Sequence, residues 1–119
     1  MSVRITTFNK ILLETLGELS NKFPQDRDIF YALSELEIAQ NTVSSTRYVV
    51  TSFMESLSPF KKEIEEFNES FFLNLVCTDE NLKCFNLADK WQFFSVTERA
   101  KLFATVQKLL KLGAVIESE

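Results

Sequence analysis

The sequence predicts an all-α fold, a single small bundle of five to six helices over residues 1–119, with the third helix kinked or split at Pro59. Three observations carry that expectation. Only 2 Gly and 2 Pro occur in 119 residues, too few for the tight turns of a sandwich or barrel. Apolar residues recur at steps of three and four along most of the chain. Finally, 12 Phe within a 45% hydrophobic composition supply a core without help from disulfides, since a domain of this length buries roughly two-thirds of the surface its unfolded chain exposes.

The first helix is expected from about Thr7 to Lys22, with Thr6 or Thr7 as its cap. Ile5, Phe8, Leu12, Leu16, Leu19 and Phe23 share one face. Gly17 is either a mild defect inside that helix or a point of close approach by a neighbour. Pro24 ends the helix by pushing the residue before it out of helical geometry. Asp26 then caps a second helix that carries Ile29, Phe30, Leu33 and Leu36 on its apolar face and frays at Gln40-Asn41.

Val50, Phe53, Leu57, Phe60, Ile64 and Phe67 form a heptad-like seam in the third segment. Pro59 interrupts it. Either the helix kinks there, or it stops at Leu57 and restarts with Ser58 as cap and Pro59 at the first helical position. Asn68 to Leu75 reads as a turn or short helical stub, and Thr78-Asp79-Glu80-Asn81 as a loop. A further helix from about Asp79 or Glu80 to Phe93 or Phe94 would present Leu82, Phe85, Ala88 and Trp91.

The last helix has the strongest start signal. Ser95-Val96-Thr97-Glu98 is a capping box, in which the serine oxygen takes one free backbone N–H and the glutamate reaches back for another. Leu102, Phe103, Val106, Leu109 and Leu110 form its stripe, and Lys108 and Lys111 suit its negative C-terminal end. Gly113 offers the left-handed residue that commonly closes a helix, leaving Glu117-Ser118-Glu119 as a frayed tail.

The functional signals are sparse. There is no histidine, which removes the commonest general base and zinc ligand, and no phosphate loop, nucleophile elbow or zinc spacing appears. A non-enzymatic protein without a cofactor, a metal or a small-molecule substrate is therefore expected. Glu63, Glu66 and Glu69 are the only carboxylate row, read as a solvated acidic face because a di-iron bundle would add a histidine. Cys77 and Cys84 lack C-x-x-C spacing; reduced thiols in or beside the core fit an intracellular, reducing compartment, and a bridge between them would overturn that choice. The start of the chain lacks the apolar stretch of a signal peptide, and no apolar run reaches the ~20 residues of a membrane span.

The net charge of −4 disfavours sequence-independent nucleic-acid binding. Lys101 and Lys108, with Lys111 nearby, nonetheless form a basic edge on the last helix. The doublets Phe71-Phe72 and Phe93-Phe94 point further, because adjacent residues on a helix lie about 100° apart and one face cannot easily bury both. They mark either a wide core stripe or a second apolar surface. Phe71, Phe72, Phe93, Phe94, Lys101 and Lys108 are accordingly the candidate interface residues.

Phe8-Asn9-Lys10 followed by Leu16 and Leu19, then Phe23-Pro24 and Asp26, the proline-interrupted third helix, Phe71-Phe72-Leu73 and the stretch from Trp91 to Leu112 resemble small helical proteins encoded by large DNA viruses of algae and protists. That resemblance implies no catalytic residue. It implies a viral contact or scaffold protein, with the virion or minor capsid as its setting and itself or capsid proteins as partners. A regulatory adaptor binding a host or viral partner is the alternative, and a nucleic-acid accessory protein a more distant one.

Overall fold

The computed structural model describes residues 3–78, 83 and 86–119, and the described elements are all helical. They are α1 (Val3–Lys22), α2 (Arg27–Ala39), α3 (Val43–Leu57), a 3-10 turn (Ser58–Phe60), α4 (Lys61–Glu65), α5 (Glu69–Thr78), α6 (Leu87–Lys90), a second 3-10 turn (Trp91–Phe93) and α7 (Val96–Glu117). Five of these are substantial helices and the rest single turns, in agreement with the all-α bundle expected.

The longest helices, α1 and α7, run antiparallel. Ion pairs of Arg4 with Glu119 at 2.6 Å, Glu18 with Lys101 at 3.2 Å and Lys22 with Glu98 at 3.0 Å trace that pairing from end to end. α2 and α3 then pack beside α1 after short turns. Their mutual position is held by Asn9, which is fully buried: its amide donates to the Ile5 carbonyl at 3.0 Å and the Thr46 carbonyl at 3.2 Å, while Gln40 donates to its Oδ1 at 3.3 Å. One side chain thus joins three helices. A buried amide left without such partners costs about 1–3 kcal/mol, so slipping any of these helices is opposed.

Helix starts follow local chemistry. Asp26 accepts from the Ile29 N–H, Thr42 from Ser45, Asn68 from Phe71, and the Ser95–Glu98 capping box is complete in both directions. α1, however, begins at Val3 rather than near Thr7, and the Thr7 hydroxyl donates to the Val3 carbonyl one turn back instead of capping. The stretch from Asn68 is a full helix of 10 residues, longer than the expected stub.

The third helix is split. α3 stops at Leu57, and the 3-10 turn carries Pro59 before α4 restarts at Lys61. Ser58 makes no cap; it lies inside the turn, one residue too late to meet the free N–H groups. The seam ends at Ile64, which is fully buried. Phe67, expected to continue it, adopts a left-handed φ of 55° and terminates α4, with the Asn68 N–H on the Glu63 carbonyl and its own N–H on Ile64. For a residue with a bulky side chain that conformation costs about 1–2 kcal/mol. Gln107 of α7 offsets part of the cost by donating to the Ile64 and Glu65 carbonyls at the end of α4, and the Phe67 ring lies 5.3 Å from Phe103.

Further expectations are overturned. The helix proposed from about Asp79 or Glu80 to Phe93 or Phe94 is not continuous, because Asn86 is left-handed at φ 53° and Phe94 is extended. Leu82, Phe85 and the loop at 79–81 lie outside the described residues. Gly113 does not end α7, which continues to Glu117 and places Ile116 in the core. Glycine stands there because Met54 of α3 occupies the space: an added β-carbon would collide with Met54 Sδ and sit 2.9 Å from its Cγ. Gly17, by contrast, has nothing within 4 Å and is no close approach. The tail is not loose either, since Glu119 pairs with Arg4.

The buried residues form two cores. One gathers Ile5, Phe8, Val50, Met54, Ile64 and Leu109 toward the N-terminal end of α1. The other gathers Leu19, Ile29, Phe72, Trp91, Phe94 and Phe103 toward its C-terminal end. A polar clasp closes the second: Lys90 pairs with Asp26 at 2.6 Å and lies 5.6 Å from the Phe23 ring. Partial burial pushes the Asp26 carboxyl up, but hydrogen bonds from Lys90 and the Ile29 N–H and the charge of Lys90 outweigh it and hold the group below the usual carboxylate range.

Gly113→Ala should destabilise the protein by about 1 kcal/mol, the overpacking against Met54 exceeding the gain in helix propensity. In a Met54→Ala background the same change should be neutral or stabilising, as read by urea denaturation of the double-mutant cycle. Asp26 has a lowered folded pKa, so its contribution is complete above the unfolded value of about 3.9 and is lost as pH falls through the lower folded value. Asp26→Asn keeps a cap but not the ion pair. The stability gap between wild type and Asp26→Asn should therefore shrink between pH 7 and pH 3 in chemical denaturation.

Candidate functional site

The two aromatic doublets divide between interior and surface as the 100° helical step dictates. On α5, Phe72 is buried with its ring 4.9 Å from Phe103 and 5.7 Å from Trp91, whereas Phe71 is half-buried against Phe60 at 5.3 Å. Each therefore serves a different core. Phe94 leaves the 3-10 turn in an extended conformation and is buried beside Trp91 at 5.5 Å. Of the four, only Phe93 is a surface aromatic, 62% exposed. Of the four phenylalanines read as interface candidates, Phe71, Phe72 and Phe94 thus belong to the packing, because three elements converge around Trp91 and give the second member of each doublet an interior to enter.

Trp91 is the centre of that convergence. Its indole N–H donates to Glu69 Oε1, and Arg99 reaches the same oxygen at 3.2 Å while donating to the Trp91 carbonyl at 2.8 Å. The guanidinium lies 5.4 Å from the indole ring. This use of Glu69 corrects the acidic row: α4 ends at Glu65 and α5 begins at Glu69, so Glu63, Glu66 and Glu69 do not share one helix face. Among the described residues no group of three His, Cys, Asp or Glu side chains is placed to hold a metal ion. Cys77 is a free, exposed thiol, and Cys84 lies outside the described residues.

Lys101 and Lys108 are exposed on α7 and have carboxylates beside them. Both line a cleft between α1 and α7 of about 300 Å³, together with Glu14, Glu18, Lys22 and Glu98. Lys101 is paired with Glu18 and Lys22 with Glu98. The Ser95 N–H and Lys22 both bond the Glu98 carboxylate and hold its pKa down, so it stays charged beside the lysines. The sequence places these carboxylates on another helix 83 positions away in the case of Glu18 and Lys101, where no local pattern shows them.

The main exposed apolar surface lies elsewhere, on α2 and the start of α3. Phe30, Tyr31, Ile38 and Tyr48 are 62%, 66%, 64% and 70% exposed. Tyr31 and Ile38 stand seven residues apart and so on one face of α2, with Phe30 beside them. Phe30 was expected in the core; Ile29 and Leu36 take the inward face instead. Tyr31 and Tyr48 rim an open groove between α1, α2 and α3 of about 730 Å³, floored by Leu12, Leu16 and Leu36, with Glu35 at its edge. The signal for this surface was present in the excess of apolar residues from Ile29 to Leu33, more than one helix face can bury.

Phe72→Ala should cost about 3–5 kcal/mol, the range for removing a fully buried phenylalanine, whereas Phe93→Ser should cost less than about 1 kcal/mol. Thermal unfolding of the two variants checks the division of the doublets. No family model matches this chain, and no curated protein or solved structure matches it.

Proposed function

We propose that this chain acts by non-enzymatic contact with other proteins, as a scaffold component of a viral particle of the minor-capsid kind. The observation that carries the reading is the exposure of Phe30, Tyr31 and Ile38 on α2 and of Tyr48 on α3, with the two tyrosines at the rim of one groove. Single exposed apolar residues are ordinary, but aromatic residues gathered at the rim of a groove are the anchors that interfaces use. The mixed charge of the α1–α7 cleft weighs against phosphate binding, because Lys22 and Lys101 already carry carboxylate partners. The viral setting comes from the resemblance in Phe8-Asn9-Lys10, Phe23-Pro24 and Phe71-Phe72-Leu73. No helix among the described residues is long and apolar enough to cross a membrane.

Tyr31→Ser combined with Tyr48→Ser should leave the melting temperature nearly unchanged while weakening association, read by light scattering for self-association and by copy number in purified particles. One lost aromatic anchor of about 2 kcal/mol corresponds to roughly thirtyfold in affinity. Incorporation of the double variant at the wild-type level would refute the assignment of this surface. Absence of the wild type from particles, with partner binding retained, would point to a regulatory adaptor.

A further inference from the structure

α2 carries apolar residues on two opposite faces. Ile29 and Leu36 are buried on one of them. At 100° per residue, Arg27, Phe30, Tyr31, Ser34, Glu37 and Ile38 share about 120° of the other. Within that set Arg27, Phe30, Ser34 and Glu37 step by three, four and three, the spacing by which one helix packs along another. Phe30, Tyr31 and Ile38 are mostly exposed, and so are the charged residues Arg27 and Glu37. No ion pair among the described residues engages Arg27 or Glu37. Ser34, at the middle of the face, is small and turns its hydroxyl back onto the Phe30 carbonyl at 3.0 Å.

We propose that this face binds the same face of a second copy of the chain, α2 against α2, antiparallel about a two-fold axis at Ser34. The proposal rests on the assignment of the α2 surface to protein contact and names the partner. With the axis at Ser34, Phe30 lies level with Ile38 of the second copy and Tyr31 with its Glu37. Arg27 lies level with Asn41 of the second copy, one turn or about 6 Å along the helix from Glu37, a gap that an arginine side chain spans. The charges that α2 leaves without partners thus meet, once on each side of the axis, and the Tyr31 hydroxyl has the same carboxylate to bond. A parallel pairing would set arginine on arginine and glutamate on glutamate. A two-fold interface requires a patch that complements itself, and this one does so in charge and in apolar shape.

The surrounding charge argues against a membrane, because helices that lie on lipid flank their apolar stripe with Lys and Arg. On α2, Asp28, Glu35 and Glu37 stand against Arg27 alone. The area sets the strength of the pairing. Aromatic side chains present about 150–250 Å² each, so Phe30 and Tyr31, at 62% and 66% exposure, offer roughly 100–160 Å² apiece. Ile38 brings the apolar part to about 300–450 Å² per copy, below the ~800 Å² per partner of a standard interface. The dimer therefore belongs to the transient class, formed at high concentration and lost on dilution.

In sedimentation equilibrium the mass of the full chain should rise from that of one copy toward that of two as concentration increases. Arg27→Glu and Glu37→Arg should each weaken the pairing at least about tenfold, because each sets like charges together at both symmetric contacts. Both changes suit the helix dipole, an acid in the first turn and a base in the last, so the melting temperature should not fall. Mixed together, the two variants should pair with each other to within about threefold of the wild-type affinity, since every contact again joins opposite charges. A wild type that stays single at every concentration, single variants that pair as the wild type does, or a mixture that does not pair would overturn the proposal. If the wild type stays single while Tyr31→Ser with Tyr48→Ser still lowers its copy number in particles, the contact surface stands and its partner is another protein. Cosedimentation of an unpaired wild type with phosphatidylserine vesicles would assign the face to a membrane instead. Pairing without incorporation into particles supports the proposal and refutes only the particle setting.

Discussion

The antiparallel pairing of α1 with α7 is the constraint on which the remaining elements depend, because each core is built against one end of that pair. Bringing these helices together closes a loop of some seventy residues, which costs on the order of 4 kcal/mol in chain entropy. The three ion pairs along the seam cannot meet that cost. Arg4, Glu18 and Lys101 are more than half exposed, and pairs of this kind contribute about 0–1 kcal/mol each. Burial does the holding: Ile5, Phe8 and Leu19 from α1 meet Phe103, Leu109, Leu110 and Ile116 from α7 in the two cores. The ion pairs set register and direction on a contact that apolar surface stabilises.

Around that pair, polar groups decide which arrangement of the smaller helices is reached. Asn9 links α1, α2 and α3 from inside the protein, and the Glu69–Trp91–Arg99 cluster ties α5 and the second 3-10 turn to α7. Apolar contacts alone tolerate small slips between helices. Directional bonds in a buried setting such as that of Asn9 do not, since a displaced donor or acceptor loses its partner and its water together. The close fit of Gly113 against Met54 acts in the same way by sterics, since a β-carbon at 113 would force the Met54 side chain of α3 to move.

The surfaces follow from what these constraints leave uncovered. α2 buries Ile29 and Leu36 but has more apolar residues than its inward face can take, so Phe30, Tyr31 and Ile38 remain outside. α3 sits close enough to α7 to bury Val50, Met54 and Leu57, and Phe53 packs on Phe8 of α1 at 5.3 Å, while Val49 and Ser52 line an open apolar groove between α1, α3 and α7.

Helix class, most helix ends and the identity of much of the core were legible in the sequence because they are local. Period, capping and proline geometry act over a few residues, as Asp26, Pro24, the Ser95–Glu98 box and the break at Pro59 all show. Gly113 was misread because a glycine near a helix end looks the same whether it supplies a left-handed cap or makes room for a neighbour, and only Met54 distinguishes the two. Lys101 looked free because its partner Glu18 lies at the other end of the chain, and Phe30 looked buried because its spacing fits the inward face. The sequence by itself determined that this protein is a set of amphipathic helices with a proline break and too many aromatic residues for one core. Tertiary structure alone decided which phenylalanines became core, which charges were paired and which apolar faces stayed uncovered, because each depends on contacts between residues far apart in the chain, whose energies exceed the local preferences that spacing records.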